Sequence, residues 1–276
     1  LTRWCRGGLL KGPVNDPAED AAMKDVLVIV PFPMSEENLA QRRAQLDAVE
    51  LSDQLRFTFK STKAAPRNYV SKADMLLADV GILEVGQSAQ EEGFDAVCID
   101  TMSDSGVAAL RSVLDIPVIG PGRASMLTAM LLGSRFSVVT MWKHWFHLYK
   151  KTIGELGIRD HVASIRSIDV APDNQALLAG KEEDIFPLLL AEAEAAIAED
   201  GAEVILLGST TMHQAHQFLS ERLDVPVINP GPLTYKLVEV MLGLGLSHSR
   251  AAYPASPVPR TEMIAAMMAA AGTFDH

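Results

Sequence analysis

The chain has little cysteine, no run of basic residues and no long apolar segment. Its two cysteines among 276 residues, Cys5 and Cys98, give neither a disulfide framework nor the spacing of a metal site, so we expect a reducing compartment, the cytoplasm. The formal net charge of −11 argues against nucleic acid or an anionic membrane as a partner. The longest apolar runs, such as Leu188 to Ala198, are too short and too charged to cross a bilayer.

The N-terminal segment differs from the rest of the chain. Leu1 to Ala22 shows no helix or strand periodicity, whereas Met23 leads directly into a buried strand. We therefore interpret residues 1–22 as an N-terminal extension outside the fold. With 48% apolar residues, the chain can bury the core of two modest domains or one large one.

One stretch of the sequence occurs twice. Asp95 to Gly106 reads as a buried strand followed by a hydroxyl-rich turn, and Glu203 to Met212 repeats this pattern. Each copy runs on to a helix and a second short strand that ends in Pro-Gly. When the copies are aligned with one inserted residue, Thr101 stands opposite Ser209. The repeat predicts two similar α/β halves that face one another.

The rest of the chain alternates strands and helices. Val26 to Val30 is a continuous, mostly β-branched run, which is typical of a strand covered on both faces in a parallel sheet. The alternation predicts two pseudo-symmetric Rossmann-like domains, each a mainly parallel four-stranded sheet flanked by helices. We place the first domain at residues 23–134 plus 231–276 and the second at residues 135–230.

Five segments carry a family resemblance: Gly93 to Leu110, Asp115 to Gly120, Arg135 to Thr140, Asp200 to Met212 and Gly245 to Arg250. They resemble the aspartate/glutamate/hydantoin racemase superfamily, in particular its hydantoin and allantoin racemase branch. The resemblance extends in the family's order from Lys24 to Pro257. It implies a ligand cleft between two pseudo-symmetric domains, racemase or isomerase activity, and no metal or organic cofactor.

The sequence departs from this resemblance at the positions that carry the chemistry. The family has a cysteine at each strand-end turn: one thiolate removes the Cα proton and the opposing thiol delivers one. Those positions match Thr101 and Ser209 here, and the family's Asn-Pro-Asn-Thr motif falls on residues 30–33, where only Pro31 is kept. A hydroxyl ionises several pH units above a thiol and needs a separate base. Cys98, inside the strand, fits a small buried residue better than a substitute thiol.

We predict four catalytic residues: Thr101, Ser209, Asp100 and His213. Asp100 ends a buried strand just before the first turn, where it is either a general acid or base or a carboxylate held by neighbouring backbone amides. His213 follows the second turn and is the other candidate acid or base. Its spacing from His216 allows a metal pair, but the lack of further ligands favours a surface pair and no metal site.

Substrate binding is expected at the same strand ends. Backbone amides and hydroxyls there suit a carboxylate or an oxyanion, although some of the hydroxyls, Ser105 and Thr211 above all, fit simple helix caps. An aromatic wall at Trp142 and a cation at Arg67 complete the expected site; ordinary surface charge explains Arg67 equally well. The predicted substrate-binding residues are Pro31, Phe32, Arg67, Ser103, Asp104, Thr140, Trp142, Thr210 and Thr211.

Three functional hypotheses follow. The first is a cofactor-independent racemase or isomerase acting at the carbon next to a carbonyl of a small carboxylate or a hydantoin-like cyclic amide. The second is a diverged lyase, decarboxylase or hydrolase that uses the hydroxyls of Thr101 and Ser209 with a nearby Asp or His. The third is a non-catalytic protein that binds a small ligand. In each case the partner is a small molecule, and we expect a homo-oligomer.

Overall fold

Two parallel sheets of four strands each organise the chain. The computed structural model describes residues 23–66, 68–172 and 184–273. The prediction of an extension at residues 1–22 and the predicted role of Arg67 lie outside these ranges. Within them, the α/β fold with two parallel four-stranded sheets flanked by helices is confirmed.

The two sheets have the same strand order. In the first sheet the order is β2-β1-β3-β4, and in the second it is β6-β5-β7-β8, with every neighbouring pair parallel. The central strands of each sheet are almost completely buried, as their continuous apolar sequences predict. The strands are β1 (Lys24–Val30), β2 (Leu55–Ser61), β3 (Ala96–Ile99), β4 (Val118–Ile119), β5 (Phe136–Thr140), β6 (Val162–Ser167), β7 (Val204–Leu207) and β8 (Val227–Ile228).

Helices connect the strands and cover both faces of each sheet. Ser35 begins the first helix by accepting a hydrogen bond from the amide of Asn38 at 3.2 Å. The helices are α1 (Glu36–Arg43), α2 (Lys72–Gly86), α3 (Val107–Arg111), α4 (Pro121–Leu132), α5 (Phe146–Leu156), α6 (Phe186–Ala198), α7 (Ala215–Ser220), α8 (Pro230–Gly243) and α9 (Thr261–Ala271). None of the helices in the described ranges is both long and apolar enough to span a bilayer.

The two halves exchange one helix each. Helix α4 follows a strand of the first sheet, yet its Met126 and Ala129 belong to the core built on Phe136 of the second sheet. Helix α8 follows the second sheet, and its Tyr235 and Val238 join the core of the first. These two helices also pack against each other. Each half thus contributes a helix to the core of the other. The domain boundary between residues 134 and 135 stays a prediction.

Candidate active site between the two sheets

The two repeated turns meet at one cavity. Thr101 follows the end of β3 and Ser209 follows the end of β7, so each stands at the carboxyl end of a central strand of its sheet. Both residues line a single cavity of about 50 Å³, a volume that holds a few water molecules. The rest of its lining is Phe32, Arg42, Asn68, Tyr69, Asp100, Met102, Trp145, Leu148, Tyr149, Gly208, Thr210 and Thr211.

In the first turn a chain of hydroxyls leads away from the cavity. Thr101 Oγ1 lies 3.2 Å from Ser103 Oγ, which donates to Ser105 Oγ at 3.0 Å. Ser103 and Ser105 are fully buried, and neither lines the cavity. Ser103 therefore orients the hydroxyl of Thr101 from behind. Ser105 does not cap helix α3, because the residue at that helix start is Gly106 and no side chain caps it.

Asp104 faces the start of helix α4 instead of the cavity. Its carboxylate accepts hydrogen bonds from the backbone amides of Gly122 at 2.8 Å and Arg123 at 2.6 Å. Burial raises the pKa of Asp104 to about 6, although these two hydrogen bonds act in the opposite direction. The structure thus places Asp104, which the sequence predicts as a substrate contact, where it anchors the first turn to the next helix.

The second turn is a short 3-10 turn, Thr210–Met212, that presents its hydroxyls to the cavity. Ser209 Oγ accepts a hydrogen bond from the amide of Thr211 at 3.2 Å and lies 2.7 Å from Thr211 Oγ1. Thr210 is buried, and its hydroxyl donates to the backbone carbonyl of Asp100 at 3.3 Å. The structure brings these three predicted residues, Ser209, Thr210 and Thr211, to the cavity wall.

Asp100 is held by a buried arginine. Arg42 Nη2 lies 2.8 Å from Asp100 Oδ2, and the two side chains are only 5% and 1% exposed. The same nitrogen donates to Thr210 Oγ1 at 3.1 Å. Gln45 Nε2 adds a longer contact of 3.4 Å to Asp100 Oδ2. The sequence left open a free acid or base and a carboxylate held by backbone amides; the structure shows an ion pair with Arg42, which neither alternative named.

His213 lies behind the cavity wall. Burial first, and then the positive charge of Arg42, lowers the pKa of His213, so its imidazole is neutral at neutral pH. Its side chain is not part of the lining, and its carbonyl accepts from Asn229 Nδ2 at 3.3 Å. His216 Nε2 lies 3.0 Å from the carbonyl of Val227. Among the described residues, no group of three His, Cys, Asp or Glu could hold a metal ion.

A buried tyrosine stands between Thr140 and the cavity. Tyr149 OH donates to the carbonyl of Gly208 at 2.6 Å and lies 2.8 Å from Thr140 Oγ1. Burial raises the pKa of Tyr149, so the phenol keeps its proton. The close approach requires Gly208, because a Cβ there would lie 2.7 Å from the phenol oxygen. Tyr149 lines the cavity, whereas the predicted Thr140 does not. Thr140 is instead hydrogen-bonded to Tyr149.

Aromatic residues form the wall on the side of the first sheet. Phe32 stacks on Tyr69 with ring centroids 5.2 Å apart, and Tyr69 OH donates to the carbonyl of Pro31 at 3.0 Å. Phe32 therefore lines the cavity as predicted, while Pro31 supports its neighbour. The predicted Trp142 stays outside the lining; it packs edge-on against Trp145, which takes the place at the wall.

The charge of the described wall is balanced. Its charged side chains are Arg42 and Asp100, which pair with each other. The other polar groups are hydroxyls, the Asn68 amide and backbone atoms, none of which carries a charge. This wall therefore suits a small polar ligand without a net charge better than an anion.

Comparison of the sequence with known proteins identifies its family. A family model described as Asp/Glu/Hydantoin racemase matches residues 33–238. The chain belongs to the Asp/Glu/hydantoin racemase family. A hydantoin racemase of Pseudomonas sp. (strain NS671) is 33% identical over 195 residues, which cover 69% of this chain and 75% of that protein. A hydantoin racemase of Rhizobium meliloti is 33% identical over 194 residues, 68% of this chain and 78% of that protein.

Solved structures support the same assignment. The allantoin racemase from Klebsiella pneumoniae superposes with a TM-score of 0.77 at 27% identity, covering 86% of this chain and 95% of that one. Sequence and fold together thus confirm the resemblance to the hydantoin and allantoin racemase branch. That Thr101 and Ser209 replace two family cysteines stays a prediction from the resemblance.

Several residues that line the cavity were not predicted from the sequence. Tyr69, Leu148 and Tyr149 lie on loops or helices far along the chain from the repeated turns, and nothing local marks them as site residues. Arg42 is one of two consecutive arginines near the end of an amphipathic helix, a pattern typical of a solvated face. The one signal available was the repeat itself, which identified both turns.

Proposed function

We propose that this racemase-family member is a cofactor-independent racemase or isomerase acting at the carbon next to a carbonyl of a small, neutral, hydantoin-like cyclic amide. The observation that carries the proposal is the meeting of Thr101 and Ser209 at one cavity, each from the equivalent strand end of its half. A flat ring held between the two turns would present one face to each hydroxyl.

The balanced charge of the wall supports a cyclic amide over a carboxylate. Removing a proton next to a carboxylate creates a second negative charge, whereas the same step on a neutral ring creates only one. The described lining offers no unpaired cation to balance two charges, because Arg42 already pairs with Asp100. Hydroxyl and backbone N–H donors are sufficient to stabilise a single developing oxyanion.

The hydroxyls set a limit on the rate. A serine or threonine hydroxyl needs a partner that accepts its proton, and the nearest side-chain partners are themselves hydroxyls: Ser103 for Thr101 and Thr211 for Ser209. Such a neutral pair only relays protons: the proton taken from Cα passes through one pair to hydroxide from solvent, and the opposite pair donates a proton to the other face and regains one from water. We therefore expect slower turnover than a two-thiol site would give, on substrates whose α-proton is already acidic.

A second candidate is lyase, decarboxylase or hydrolase chemistry. The observation that favours it is the presence of hydroxyls at both strand ends, since a hydroxyl can act as a nucleophile or as an oxyanion donor. Its general base would be Asp100 or His213. The ion pair of Asp100 with Arg42 and the position of His213 outside the lining weigh against it.

Solvent isotope exchange tests the proposal. Each enantiomer of a 5-substituted hydantoin and of allantoin is incubated with the enzyme in D₂O, and the Cα proton is followed by NMR together with optical rotation. We expect deuterium at the asymmetric carbon and loss of optical rotation, with no net product, above the rate in buffer alone. Product without exchange would support the second candidate, and a thermal shift alone would leave a binding protein.

A further inference from the structure

One arginine connects the two halves at the site. Arg42, on α1 of the first half, pairs with Asp100 at 2.8 Å and donates from the same nitrogen to Thr210 of the second half at 3.1 Å. The hydroxyl of Thr210 in turn donates to the carbonyl of Asp100 at 3.3 Å. The three residues thus form a closed set of contacts, which we name the Arg42 clamp.

The clamp lies next to both candidate catalytic hydroxyls. Asp100 directly precedes Thr101, and Thr210 directly follows Ser209. The three clamp residues are almost completely buried, and all of them line the cavity. A shift of Arg42 would therefore change the spacing between the turn that carries Thr101 and the turn that carries Ser209.

Stability alone does not account for such a pair. Replacing a buried ion pair by uncharged side chains of similar volume is often neutral or stabilising, because both charges lose their hydration on burial. A fold that needed only packing here could use apolar residues. The arginine offers what they cannot: one buried, charged nitrogen, Nη2, that binds a carboxylate and a hydroxyl together.

We propose that Arg42 is a positioning residue that fixes the distance between Thr101 and Ser209. It also neutralises Asp100, so that no unpaired carboxylate faces the anion that forms during the reaction. The proposal rests on the proposed function for its effect on turnover. The clamp itself can be measured without any substrate.

The kinetic test compares a single with a double variant. Arg42→Met leaves Asp100 buried without its partner, and we expect its melting temperature to fall by roughly 10 °C. Arg42→Met combined with Asp100→Asn removes both charges and should recover most of that loss. In both variants we expect kcat to fall roughly 100-fold while KM changes far less, because positioning acts on the reacting groups. A double variant with wild-type stability and wild-type kcat would overturn the proposal.

Hydrogen exchange provides the readout that needs no substrate. In the double variant, the amides of the turn at residues 208–212 should exchange roughly tenfold faster than in the wild type, since the contact across the cleft is lost. Unchanged protection there would contradict the clamp. If the wild type proves inactive on cyclic amides, the proposed function fails, and this measurement still decides whether the clamp exists.

A matched control comes from the second half. Arg166 on β6 binds Asp200 at 2.6 Å and Glu199 at 2.7 Å, away from the cavity. Arg166→Met should leave both kcat and exchange in the turn unchanged. Should Arg42→Met fail to fold, Arg42→Lys keeps the charge but moves it away from the position of Nη2; we expect it to fold and to show reduced kcat. Wild-type kcat in a folded Arg42→Lys would count against positioning by the guanidinium.

Discussion

The two repeated turns have the same place in their sheets but are held in different ways. The first turn is anchored onto helix α4 by the carboxylate of Asp104, which binds the amides of Gly122 and Arg123, and Lys151 of α5 donates to its Ser103 carbonyl at 3.3 Å. The second turn is held by neutral groups, the amide of Asn229 and the phenol of Tyr149, and by Arg42 from across the cleft. The two halves therefore share a backbone arrangement, but different charged groups hold their two turns.

This difference indicates that the two hydroxyls are not equivalent. Thr101 belongs to a chain of buried hydroxyls whose links are 3.2 and 3.0 Å long. Ser209 makes a shorter contact of 2.7 Å with Thr211, which lines the cavity itself. A racemase must handle both faces of one carbon. A pseudo-symmetric fold with two dissimilar turns lets each face have its own proton donor.

The largest effect is expected when both hydroxyls are removed. Thr101→Ala combined with Ser209→Ala should reduce turnover at least 100-fold, since a positioned proton-transfer group contributes about 10²- to 10⁴-fold. Ser112→Ala, which removes a hydroxyl bonded to a helix carbonyl outside the cavity, is the control for the loss of a side-chain hydrogen bond. Full activity of the double variant on a substrate of the wild type would rule out the site.

A glycine beside the first turn gives the next effect. A Cβ on Gly122 would lie 2.4 Å from the carbonyl oxygen of Met102 and 3.1 Å from Asp104 Oδ1. Gly122→Ala should therefore destabilise the fold by about 1 to 3 kcal/mol, the usual cost of overpacking. Gly243→Ala, where nothing lies within 4 Å, should be neutral or stabilising. Equal melting temperatures for Gly122→Ala and the wild type would show that the first turn is not tightly anchored.

The carboxylate of Asp104 should leave a pH signature of opposite sign to that of His213 after the second turn, whose pKa burial lowers. Because burial raises the pKa of Asp104 to about 6, the folded state binds this proton more tightly than the unfolded state does. Its contribution to the free energy of unfolding is therefore greatest at about pH 4 and falls as the pH rises through 6. The expected change is about 1 to 2 kcal/mol, because Asp104 keeps some contact with solvent.

Chemical denaturation of wild type and Asp104→Asn between pH 4 and 7 measures this contribution. The variant should lack the fall in stability that Asp104 causes, so the two curves should differ most in slope near pH 5. The exposed Asp224→Asn should keep the wild-type slope. Parallel curves for Asp104→Asn and the wild type would contradict the account of the first turn.

Most of the fold could be predicted from local sequence, because its strands carry continuous apolar runs and its turns repeat. The repeat placed β3 and β7 in equivalent positions, and the structure confirms that placement. The ends of helices are harder to predict. The sequence from Glu36 to Glu50 predicts one helix, but the α-helix ends at Arg43 and continues as a 3-10 turn, Ala44–Ala48. The packing of α4 on the second sheet depends on contacts between the halves, which no local pattern reports.

The sequence predicted cavity residues mainly at positions where the repeated turn also carries a reactive side chain. Thr101 and Ser209 stand at aligned positions, and both line the cavity. Arg42 could not be found in this way, because its importance comes from contacts with Asp100 and Thr210, far away in the sequence. Asp104 shows the converse case. Its place in the first turn suggests a ligand contact, but its carboxylate instead accepts hydrogen bonds from amides at the start of α4.

The most direct test of the central claim follows deuterium exchange in the two single variants, Thr101→Ala and Ser209→Ala, with each enantiomer of the substrate supplied separately. If the two hydroxyls serve opposite faces, racemisation falls in both variants, but each keeps exchange into one enantiomer, and the retained enantiomer is opposite in the two. Equal loss of exchange for both enantiomers in both variants, or no loss in either, would contradict a site with one hydroxyl on each face.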